Sequence, residues 1–191
     1  MAEAFSNKLV SAAGIVTTSS AGSIGALGTT ITGISTAGVA VNDLVDNTNF
    51  TAGSKVQVIG VGQVTVNRTS TNTAAATAQN VKFLTPTEAY ASPTGIKSIL
   101  IGGTFANNTN SQVNLTIGIN DNSSGVEAAI ASKIPVPAGS SFVISDAGKT
   151  VLEGDDKVKV YCDVDNALDV NLSILTGVNS VSYTHLRAHE T

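Results

Sequence analysis

Apolar and polar residues alternate with period two through most of the second half of the chain. From Gln112 to Asn120, Val113, Leu115, Ile117 and Ile119 alternate with Asn114, Thr116 and Gly118. From Lys157 to Val164, Val158, Val160, Cys162 and Val164 alternate with Lys159, Tyr161 and Asp163. From Leu168 to Ile174, Leu168, Val170, Leu172 and Ile174 alternate with Asp169, Asn171 and Ser173. Period two sustained in this way predicts half-buried antiparallel strands. Lys97 to Phe105 predicts a further strand, and Ser98-Ile99-Leu100-Ile101 is apolar enough to be central. Glu127 to Ser132 joins a strand rather than forming a helical turn. Turn sequences separate these runs at Asn107–Asn110, Asp121–Gly125, Pro137–Ser140, Glu153–Asp156 and Asp165-Asn166. Six or so strands punctuated in this way predict a jelly-roll-like β-sandwich over residues 95–180.

The first half is patterned more finely. Short β-branched runs lie between Gly, Asn and Thr turns over residues 20–84, as in small strands joined by hairpins. Val56 and Val58 flank Gln57, and Val64 and Val66 flank Thr65, so each pair is expected to point into one core. Residues 85–94 carry Pro86, Pro93 and small polar residues, which predicts an extended linker with little hydrogen bonding. Residues 1–19 form an N-terminal arm. Within it, Lys8 to Val16 has one positive charge and a short apolar run broken by Ser11 and Gly14, too weak for a secretion signal. The fold class is therefore all-β: a small N-terminal β module followed by an antiparallel sandwich.

Composition narrows the partners. Of 191 residues, 42% are hydrophobic but only 13% are charged, against about 25% in an average globular chain. Ser, Thr, Asn and Gly must supply the polar surface, and they suit turns and sheet faces rather than helices. Net charge is −4, with ten scattered Lys and Arg. No basic patch exists for nucleic acid and no polybasic segment for a membrane surface, so neither partner is expected. No apolar run approaches the roughly 18 residues of a membrane span.

Residues 181–191, Val-Ser-Tyr-Thr-His-Leu-Arg-Ala-His-Glu-Thr, resemble the conceptual translation of a transposase-type sequencing adapter. The resemblance implies an artefactual tail and a natural chain that continues beyond about Asn179. His185 and His189, at i, i+4 spacing, are the only histidines. With Tyr183 and Glu190 they imitate a metal site on a helix, but the adapter resemblance removes them from consideration. Ser-His-Asp catalysis, Cys-His catalysis and zinc binding then lose their ligands. Cys162, flanked by Val160 and Val164, reads as a buried structural thiol. Asp155, Asp156, Asp163, Asp165 and Asp169, with Asn166, lack the spacing of a calcium loop and read as turn acids. We therefore assign no catalytic, cofactor-binding or metal-binding residue, and no cofactor.

Two further resemblances bear on function. The strand order of residues 20–84 resembles a β module common to phage tail proteins and bacterial surface adhesins. In the second half, Ser98 to Thr109, Ile134 to Ser141, Val151 to Val160 and Asp169 to Val178 resemble small virion proteins of tailed phages. The Pro137-Ala138-Gly139-Ser140-Ser141 and Leu152-Glu153-Gly154-Asp155-Asp156 turns carry most of that likeness. It implies a non-enzymatic structural subunit of tail, neck or fibre, assembled in the host cytoplasm into the virion. Its partners would be other virion proteins and further copies of itself. The alternative is an adhesion module recognising a glycan or receptor, for which Tyr90 and Tyr161 are the candidate exposed aromatics.

Overall fold

The computed structural model describes residues 3–145 and 150–177. Among them, fifteen strands run in chain order: β1 (Ala4–Ala13), β2 (Ile15–Ile24), β3 (Thr30–Thr32), β4 (Leu44–Asp46), β5 (Val56–Gly60), β6 (Gln63–Val66), β7 (Ala76–Thr85), β8 (Thr87–Ala91), β9 (Ser98–Asn107), β10 (Val113–Asp121), β11 (Val126–Val136), β12 (Ser141–Ile144), β13 (Thr150–Leu152), β14 (Lys157–Cys162) and β15 (Leu168–Thr176). Among the described residues there is no helix, and the chain is all-β as expected.

Among the described residues, three antiparallel sheets form. One has the order β1-β15-β9-β12, with β13 also pairing β9. A second has the order β11-β10-β14-β8, and a third β4-β7-β2-β3-β6-β5. The first two pack face to face as a sandwich. Taking β12 and β13 as one interrupted strand, their eight positions interleave in the order of a jelly roll. The third sheet, β2 to β7, is inserted between the first and second strands of that sandwich.

This placement departs from the sequence reading at two segments. The residues expected as an N-terminal arm contribute β1, paired with β15 from Ala4↔Thr176 to Ala13↔Leu168. The residues expected as a sparsely bonded linker contribute β8, paired with β14 through Val158↔Tyr90 and Lys157↔Ala91. Pro86 and Pro93 only bracket that strand, where a missing N–H does no harm to the ladder. The crossing from β1 into the inserted sheet occurs at Gly14, whose φ is +120°. A Cβ there would lie 2.5 Å from the Val164 carbonyl oxygen, so only glycine fits.

The alternation predicted for the second half is observed. Val113, Leu115, Ile117, Val158, Val160, Cys162, Leu168, Leu172 and Ile174 are fully buried, with Leu100, Phe105 and Leu152 from the same core. Each large apolar side chain contributes about 1.5–3 kcal/mol by leaving water. The inserted sheet has its own core around Ile24, Ile31, Val64, Val66, Val81 and Phe83. Val56 lies in that core, but Val58 is 55% exposed, against expectation. A register shift between them opposes Val56 to Val66 and Val58 to Thr65. The extra residue of this bulge turns Val58 to the other face.

Candidate functional site

The outward faces of the two sandwich sheets have different surroundings. The outward side of β14 lies against the inserted sheet. Tyr161 is fully buried there, packed on Leu44 and Leu84 with Val16 beside them. Its hydroxyl donates to Glu127 Oε1 at 2.7 Å. Glu127, on β11, also meets Lys55 of the inserted sheet at 2.9 Å and Lys159 of β14 at 3.1 Å. Its side chain is 9% exposed. Gly118 of β10 makes room for it, since a Cβ there would sit 2.9 Å from Glu127 Oε1.

Burial alone raises the Glu127 carboxyl, but donors from Tyr161, Lys55 and Lys159 outweigh it and hold the group below its ordinary value. Burial first, and Glu127 second, drive the Tyr161 hydroxyl far above its usual range. Lys133 Nζ reaches Asp46 at 2.9 Å, and Lys82 Nζ donates to the Asp163 carbonyl at 2.8 Å. These contacts join the inserted sheet to the sandwich. Beside them lies a cleft of about 250 Å³ lined by Lys55, Arg68, Lys159, Glu127, Asn67 and Asn120. Its cations outnumber its carboxylates, but Glu127 engages two of the three.

The outward side of the other sandwich sheet is uncovered by any described residue. Register places Phe5, Leu175, Ile99 and Val151 in one row across four strands. Leu9, Asn171, Thr104 and Val143 form a second row. Phe5 is 65% exposed, Leu9 75%, Val143 56% and Val151 57%. A shallow depression of about 340 Å³ lies among Phe5, Ile101 and Val143.

Cys162 is buried, and burial raises its thiol, which keeps it protonated. The acids expected to be turn acids each hold a loop. Asp156 accepts from the Asn122 and Glu153 N–H groups, and Asp163 from the Asn114 N–H and side-chain amide. Asp165 accepts from Val16 N–H and Asp169 from Ala12 N–H, while Asp155 takes the Thr94 hydroxyl. Among the described residues, no three His, Cys, Asp or Glu side chains converge as metal ligands. His185, His189, Tyr183 and Glu190 lie outside the described residues. The motif turns are held in the same way. Asn107, buried beside the Pro137 turn, donates to the Ser111, Val136 and Pro137 carbonyls at 2.8, 2.9 and 3.1 Å.

Tyr90 and Tyr161 are the clear corrections. Neither is exposed: Tyr90 points into the sandwich core, where its hydroxyl meets Ser98 Oγ at 2.8 Å, and Tyr161 is covered by the inserted sheet. Sequence reasoning did not find the Glu127 cluster. Gly118, a glycine inside an alternating strand, was the available signal for a close approach.

Comparison with protein-family models, with curated proteins and with solved structures finds no match for this chain.

Proposed function

We propose that the protein is a non-catalytic structural subunit of a bacteriophage particle, in the tail, neck or fibre region, assembled in the host cytoplasm. The observation that carries this reading is the outward face of the β1-β15-β9-β12 sheet, which no described residue covers. Four large apolar side chains stand more than half exposed on it. Four such side chains on one sheet face, interleaved with Asn171, Thr104 and Ser173, suit a contact with another macromolecule better than a reaction centre. The sequence resemblance of Ile134 to Ser141 and Val151 to Val160 to small virion proteins supports the same reading. The fold itself does not select it, because jelly rolls serve capsids and lectins alike. The adhesion alternative loses the stacking platforms it needed, since Tyr90 and Tyr161 are buried. Mass spectrometry of washed particles from the source phage tests the proposal. The protein is expected among the particle proteins, and its presence in infected-cell lysate but never in particles overturns the assignment.

A further inference from the structure

The sandwich ends on one side in a long, regular strand edge. β1 pairs with β15 on one side, and no described strand pairs with its other side between Ala4 and Val10. That stretch has no register shift. Its single charge is Lys8. The β11 edge of the facing sheet, on the far side of the sandwich from β1, is different. β11 carries Pro135, Glu127 and Lys133, two register shifts against β10 and a positive φ at Lys133. Those are the devices by which an edge strand refuses a partner, and β1 lacks them over this stretch.

We propose that β1 is a self-pairing edge, which joins two copies of this chain antiparallel about a twofold axis through Asn7. The register is constrained by parity. An axis perpendicular to the sheet keeps each residue's face, so the axis must pass through a residue rather than between two. Centring on Lys8 sets two like charges opposite one another, and centring on Ser6 sets Phe5 opposite Asn7 and Leu9 opposite Glu3. Centring on Asn7 sets Phe5 of each copy opposite Leu9 of the other, on the exposed face. It sets Lys8 opposite Ser6, so the charge meets a hydroxyl. The spacing Phe5-x-Asn7-x-Leu9 is thus self-complementary, as an isologous contact requires. A second copy is the occupant because the same seven residues satisfy both sides. The paired sheets would become one continuous sheet, with unpaired backbone groups of each edge satisfied by the other. This pairing rests on strand geometry and does not depend on the particle assignment.

The test uses the full chain and combines sedimentation equilibrium with directed crosslinking. A reversible dimer is expected at about 100 µM. Phe5→Glu and Leu9→Lys, both on exposed positions, should each weaken it by about tenfold with unchanged melting temperature. The double variant should restore it, because residue 5 of one copy then meets an opposite charge at residue 9 of the other. Asn7→Cys should form an intermolecular disulfide under mild oxidation, since directly opposed strand residues lie within disulfide reach. Ser11→Cys should not, and the native thiol of Cys162 is buried and does not interfere. A monomer throughout, a dimer indifferent to Phe5 and Leu9, or equal crosslinking from positions 7 and 11 would each overturn the proposal.

Discussion

The outward faces of the two sandwich sheets are built from the same alternating strands, yet they end in opposite states. On β14 the outward Tyr161 is fully buried, and its hydroxyl donates to a carboxylate that also engages two lysines. On β1, β15, β9 and β12 the outward Phe5, Leu9 and Val143 stand in solvent. The face carrying Tyr161 is covered from within the chain, and the face carrying Phe5, Leu9 and Val143 is left open by the described residues. A covering sheet that brings Lys55 to Glu127 satisfies polar groups that would otherwise be costly to bury. The open face has no such partner among the described residues, which is why we read it as the assembly surface.

The core that both faces share gives the largest predicted effect. Leu172→Asp places an unpaired carboxylate among fully buried side chains and should abolish cooperative folding in thermal or chemical denaturation, a loss above about 4 kcal/mol. Asn171→Asp, one residue away on the open face, should fold normally. Equal effects would show that the alternation has been read wrongly.

The covered face should break next. Glu127→Ala leaves Lys55 and Lys159 without their shared carboxylate and the Tyr161 hydroxyl without its acceptor. It should cost about 3 kcal/mol, or about 6–12 °C in melting temperature by calorimetry. The same residue gives a pH signature. Its folded carboxyl ionises at lower pH than in the unfolded chain, whose reference value is 4.5. The cluster's contribution is therefore complete above that value and is lost as pH falls through the lower, folded one. Glu127→Gln should flatten that part of the acid stability profile. An unchanged profile would place the acid sensitivity elsewhere.

The open face should give the smallest effect on folding. Val143→Thr and Val151→Thr should change stability by less than about 0.5 kcal/mol in urea denaturation. A large loss would mean that the face is packed against the chain's own residues.

The sequence alone revealed the inner faces of β10, β14 and β15, because each carries an unbroken period-two pattern ending at Gly, Asn or Asp turns. It did not reveal what lies on the outer faces. Tyr161 alternates with Val160 and Cys162 as any solvent-facing residue would, and only the inserted sheet buries it. Lys55 and Glu127 are 72 positions apart along the numbering, and no local pattern relates them. Likewise β1 read as an arm because its partner, β15, is the last described strand. Val58 was misplaced by a bulge, since one extra residue reverses a face without altering composition.

The central claim is that the two faces have different partners, one inside the chain and one outside it. Hydroxyl-radical footprinting of the purified chain and of washed particles compares them directly. Tyr161 should be protected in both samples, whereas Phe5 and Leu9 should react in the dilute chain and lose most of that reactivity in particles. Reactivity of Phe5 and Leu9 that is the same in both samples, or of Tyr161 as high as theirs in the dilute chain, would contradict the account.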